Sequence, residues 1–116
     1  GFGRRLAEWW SQGFDLLLTP SQAQPPPRLG WVTSTPDEPT RTFLRAAPYG
    51  VFTLPYNLSG QPAISLPLHM TSGDEPGLPV GSQLVAAQGR EDLLLQVAAQ
   101  IEAEVPFEKN RAPGVS

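Results

Sequence analysis

Residues 20–41, PSQAQPPPRLGWVTSTPDEPTR, contain six prolines and no repeating apolar spacing. Proline fixes φ and has no amide hydrogen to donate, so neither a helix interior nor a central strand runs through such a stretch. More than twenty residues without regular structure sit poorly inside a compact small domain. The stretch is therefore either a linker or an extended segment laid across a larger body. Leu29, Trp31 and Val32 supply apolar anchors, which favours the second. The whole chain shares this bias, with 14 prolines and 11 glycines among 116 residues. Neither recurs at a fixed interval, which excludes collagen-like and repeat architectures. Otherwise the composition is that of one globular domain: 40% of residues are hydrophobic and 16% charged, too apolar for wholesale disorder.

The formal net charge is −3, and Arg4-Arg5 is the largest basic cluster. A surface that tracks phosphates has no footing here, so nucleic acid is excluded as a partner. The sequence holds no cysteine. That removes disulfides and thiolate metal sites and fits a reducing, cytoplasmic compartment. No apolar run is long enough to span a bilayer, and no secretory signal opens the chain. It starts at Gly1 instead of Met, and so reads as a processed or excised piece.

Leu6, Trp9, Trp10 and Phe14 fall three or four apart, predicting a short helix closed by Gly13. Asp15–Thr19 reads as a brief strand buried on both faces and stopped by Pro20. A second short helix is expected over 40–47 around Phe43 and Leu44, ending at Pro48. Residues 51–62, VFTLPYNLSGQP, read as a stiff loop. In AISLPL (63–68) Ile64, Leu66 and Leu68 alternate with Ala63, Ser65 and Pro67, the period of a strand, with Pro67 confining it to an edge. VGSQLVAA (80–87) answers it as the other arm of an antiparallel hairpin, across a loop in which Pro76-Gly77 suits a type II turn. Leu94, Ala98, Ile101 and Val105 form one stripe of a helix that begins with Glu91 and Asp92 and must stop before Pro106. Three short apolar strands leave open edges that are too hydrophobic to remain wet. The chain either self-associates, as a homodimer, or is one part of a bigger sheet.

His69 is the single histidine. With a serine and an acid it could be drawn as a hydrolytic triad, yet no G-x-S-x-G elbow exposes a serine, and a strand-end histidine is the simpler reading. One histidine without cysteine does not make a zinc site, and no metal is expected. QPPPR is too short to specify a polyproline ligand. Asn57-Leu58-Ser59 matches a glycosylation triplet that chance supplies freely. Residues 52–62 carry more weight. Asn57 and Ser59 can bond nearby backbone, Gly60 permits positive φ, and Pro62 pins the next strand. A stiff loop mounted on a sheet is suited either to plain turn chemistry or to shaping a ligand pocket.

FTLPYNLSGQPAISLPL, followed by GLPVGSQLVAAQGREDLLLQVAAQIEAEVPF, resembles the C-terminal quarter of amidase signature enzymes. FDLLLTPSQAQPPPRLG resembles the family's Asp-x-Leu-Leu-x-Pro strand and its proline-rich exit. The likeness runs from about Phe14 to Phe107 in the family's order. It implies an α/β class chain, the C-terminal part of an α/β/α fold with a mixed central sheet. The implied chemistry is hydrolysis of amide C–N bonds by a Ser–cis-Ser–Lys triad without cofactor. The family's glycine- and serine-rich nucleophile segment is absent here, and the single lysine, Lys109, matches no catalytic position. The resemblance therefore places no catalytic residue in this chain and puts the triad upstream of Gly1.

On this reading, residues 1–116 are the C-terminal portion of one amidase domain, with 20–41 as a proline-rich extended segment and 108–116 as a flexible tail. The partners implied are the N-terminal remainder of the same enzyme and a small amide substrate. Phe52, Tyr56 and Asn57 are the candidates for the pocket wall. Glutamine-dependent amidotransferase relatives are similar to one another in carrying an Asp two residues before the Phe/Tyr-Thr pair, where it would bind an ammonium. Here that position is Gly50, which argues against glutamine and for small or apolar amides. The alternative is an autonomous, non-catalytic interaction module that uses the proline-rich segment.

Overall fold

The computed structural model describes residues 1–107. Eight elements follow in order: helix α1 (Phe2–Trp10), strand β1 (Leu16–Pro20), helix α2 (Arg41–Ala46), a 3₁₀ turn (Ala47–Gly50), helix α3 (Leu54–Ser59), strands β2 (Ala63–Met70) and β3 (Pro79–Ala86), and helix α4 (Glu91–Glu104). The strands form one sheet in the order β1-β3-β2, with both pairings antiparallel. The fold class is α/β, as expected, although every strand pair within this piece is antiparallel.

Local chemistry explains most of the boundaries. Pro106 disfavours the α region for Val105, which turns out at φ −127° and ψ 86° and ends α4. The β2–β3 hairpin closes through Pro76-Gly77 with Gly77 at φ 82°, as a type II turn requires. Thr71 organises that loop: its Oγ1 donates to the Glu75 carbonyl at 2.5 Å and accepts from the Leu78 amide at 3.0 Å. Pro67 sits within β2 where the register shifts between Leu66 and His69, and β2 is an outer strand, so its missing amide costs no central ladder bond.

The main core cluster lies on one face of the sheet, while Val85, fully buried, faces the other side. Leu66, Leu84 and Ala86 pack against Leu94 and Ala98 of α4, with Leu16, Ile64, Leu68, Val97 and Ile101 around them.

Three expectations need correction. Helix α1 stops at Trp10 with Ser11 as its C-cap in the right-handed region, so Gly13, at φ 98°, lies beyond the helix and does not close it, and Phe14 is outside it. Residues 54–59 are helical, where a loop was expected through 51–62: Pro55 falls in the first turn, where an amide hydrogen is not needed, and Gly60 caps the far end at φ 79°. Leu18 is 67% exposed, so β1 is not buried on both faces. Leu18 shares the core face with Leu16, but α4 lies over β2 and β3 and stops short of it. Residues 21–40, between the end of β1 and the start of α2, hold turns and one isolated bridge between Thr35 and Glu38, with no named helix or strand. The tail from 108, with Lys109, lies outside the described residues.

Candidate functional site

The alternation that sends Leu84 and Ala86 into the core sends Gly81, Gln83 and Val85 to the opposite face of β3. Register puts Thr19 and Ser65 on either side of Gln83. The result is a polar row across the middle of the sheet. Gln83 is 5% exposed, and its Nε2 donates to Thr19 Oγ1 at 3.0 Å and to the Phe52 carbonyl at 2.7 Å. Both amide hydrogens are thereby used, as a buried amide requires.

One row further on, the Ser21 amide donates to the Gly81 carbonyl at 3.0 Å. The hydroxyls of Ser21 and Ser65 then meet over Gly81 at 2.5 Å. A Cβ at position 81 would lie 2.6 Å from both oxygens, so the pair exists because residue 81 has no side chain. A cavity of about 640 Å³ opens beside the pair, walled by Pro25, Pro26, Pro67 and Pro79.

Of the expected pocket residues, Phe52 and Tyr56 are half-buried and Asn57 is exposed on α3. None of the three lines the 640 Å³ cavity. They share the segment that Gln83 holds through the Phe52 carbonyl. Burial pushes the Tyr56 phenol above its ordinary pKa. Ser59 Oγ donates to the Tyr56 carbonyl at 3.4 Å and pairs with the Gln61 side chain, so α3 is stiffened from its C-terminal end. His69 is exposed near the end of β2 opposite Val80.

Ser21, Ser65, Gly81 and Gln83 were not among the expected site residues. The available signal was polar residues on one parity of strands whose other parity is apolar, but only the register shows that the three strands bring theirs together.

Elsewhere, the Arg41 guanidinium bonds Glu38 and holds its carboxyl below the usual range, and Arg90 does the same to Asp92. Arg45 lies over the Trp31 ring at 4.7 Å and donates to the Trp31 carbonyl at 2.7 Å, tying α2 to the proline-rich segment.

Comparison with known proteins gives this geometry a family. The 6-aminohexanoate-cyclic-dimer hydrolase of Pseudomonas sp. (strain NK87) is 44% identical over 115 residues, covering 95% of this chain and 23% of that protein. The 6-aminohexanoate-cyclic-dimer hydrolase of Paenarthrobacter ureafaciens is 41% identical over 115 residues, with the same coverage of 95% and 23%. A solved structure of 6-aminohexanoate cyclic dimer hydrolase complexed with substrate superposes with a TM-score of 0.80 at 41% identity, over 97% of this chain and 23% of its own. The chain thus spans 23% of the length of these relatives. The amidase family model matches residues 2–95. This chain belongs to the amidase family.

Proposed function

We propose that the chain serves as the C-terminal part of an amide-bond hydrolase, supplying sheet scaffold and one wall of the substrate pocket. The catalytic Ser–cis-Ser–Lys triad would reside in polypeptide that precedes it in the complete enzyme. The observation that carries this reading is the coverage: 97% of the chain superposes on 23% of a solved amide hydrolase at 41% identity. The physical state of the piece agrees. Among the described residues nothing pairs with the outer edges of β1 and β2. Leu18, Leu29, Phe43 and Leu58 are each at least 67% exposed. The Trp10 indole N–H is buried without an acceptor among the described residues, a state that costs about 1–3 kcal/mol unless another segment supplies one.

The substrate proposed is an uncharged amide with long methylene stretches, after the cyclic-dimer hydrolases that match at 41–44% identity. Phe52, Tyr56 and Asn57 would face it. Gly50, standing where a carboxylate would hold an ammonium, supports an uncharged ligand. Among the described residues no helix is long and apolar enough to cross a membrane. A cytoplasmic location is part of the proposal and suits the cysteine-free sequence. The interaction-module alternative is not favoured, since Pro25 and Pro26 help to wall the cavity beside Ser21 and Ser65.

The test is hydrolysis of the cyclic dimer of 6-aminohexanoate, followed by release of free amine. The chain joined to the upstream region of the enzyme should hydrolyse it, and the 116-residue chain alone should not. Turnover by the isolated chain, or none by the joined enzyme on this and a panel of simple amides, would overturn the reading.

A further inference from the structure

The Phe52 carbonyl is left out of α3. The first turn of that helix closes on Thr53, whose carbonyl accepts from the Tyr56 and Asn57 amides at 3.3 and 3.2 Å. A carbonyl just before a helix needs a donor from elsewhere, and here the donor is the buried side chain of Gln83 at 2.7 Å. The second hydrogen of the same amide goes to Thr19 Oγ1 at 3.0 Å, and that hydroxyl donates in turn to the Pro20 carbonyl at 3.0 Å. Gln83 is thereby fixed at both of its donor positions, on the middle strand of the sheet, where β1 and β2 flank it.

We propose that Gln83 is a positioning residue for the substrate pocket: its side-chain amide clamps the Phe52 carbonyl and so sets where the Phe52–Tyr56–Asn57 wall stands relative to the sheet. This deepens the proposed function and rests on it. Neither an apolar residue nor a glutamate does the same job. Methionine matches the length but donates nothing. An ionised glutamate presents oxygen to the oxygens of Phe52 and Thr19. Asparagine keeps the amide but falls a methylene short.

The test uses the complete enzyme and the cyclic dimer of 6-aminohexanoate. In Gln83→Met, KM should rise about tenfold while kcat per folded enzyme changes less than about twofold, the pattern of a displaced binding wall. Hydrogen–deuterium exchange should speed up in 53–59 and stay unchanged in 91–104. Gln83→Asn should move both readouts in the same direction and serves where Gln83→Met does not fold. An unchanged KM with activity falling only as the folded fraction falls would make Gln83 merely structural and overturn the inference, as would unchanged exchange in 53–59. Parent enzyme that hydrolyses no amide would instead overturn the function reading, and this inference with it.

Discussion

A methyl group added at Gly81 would meet serine oxygens on two sides at 2.6 Å. The backbone φ there is not positive, so the requirement is for space alone. Gly81→Ala should cost about 1–3 kcal/mol in the complete enzyme, read by denaturant unfolding, because both neighbours are short side chains with little room to give way. In a Ser21→Ala/Ser65→Ala background the same substitution should cost less, since both clashing oxygens are gone. Gly50 is the opposite case. Its nearest neighbour to an added Cβ is Thr53 Oγ1 at 3.8 Å, and its φ is not positive. Gly50→Ala should therefore be neutral or stabilising by up to about 1 kcal/mol. That contrast was invisible in the sequence, which singled out Gly50 only for the carboxylate it lacks and carried no sign of the space around either glycine. Glu38 offers a test by pH. Its folded pKa lies below the ordinary value of 4.5 because Arg41 bonds the carboxylate. The sign follows: the contact stabilises at pH above the ordinary value and is lost as pH falls through the depressed one. NMR titration of the Glu38 carboxyl should show a midpoint below 4.5, which returns toward 4.5 in Arg41→Met.

Among the elements, α4 and the β2–β3 hairpin were readable because each is specified locally. Acids in the first turn and Pro106 beyond the last bracket α4, and Pro76-Gly77 sets the hairpin turn. Leu94, 3% exposed at the centre of the α4 contact, is the residue on which that packing turns. Leu94→Ala should destabilise the complete enzyme by about 2–5 kcal/mol, seen as a lowered unfolding midpoint. The helical state of 54–59 was not readable, since six residues carry too little periodicity and Pro55, Asn57, Ser59 and Gly60 all favour turns. Position resolved it: the proline falls in the first turn and the glycine at the C-terminal cap. The polar row of Thr19, Gln83 and Ser65 escaped notice for another reason. It is assembled from three strands up to 64 residues apart in sequence, and no local pattern encodes their register.

At the scale of the molecule, the accessible surface is 8245 Å², against roughly 6,200 Å² for a compact monomer of 12.5 kDa. The radius of gyration, 16.9 Å, exceeds the roughly 13 Å expected for this length. Among the described residues, seven hydrophobic ones make up the buried set while twelve large ones stand exposed, so burial is too small to offset chain entropy with much margin. The isolated chain should bind a hydrophobic dye, melt without a sharp transition and fail to disperse its methyl resonances; a sharp, cooperative melt would contradict this. Among the described residues, the open edges expected from three short strands are what the sheet order displays.

The interruption at Pro67 makes the two margins of the sheet unequal. Along β2 the shift between Leu66 and His69 breaks any straight run of hydrogen-bonding groups, whereas Leu16 to Thr19 offer an uninterrupted one. A stray copy, or an amyloid-like stack, would find purchase only beside the leucines. Newly made chains that miss their proper neighbour should clump through that short segment, and a lysine in place of Leu18 should keep them apart.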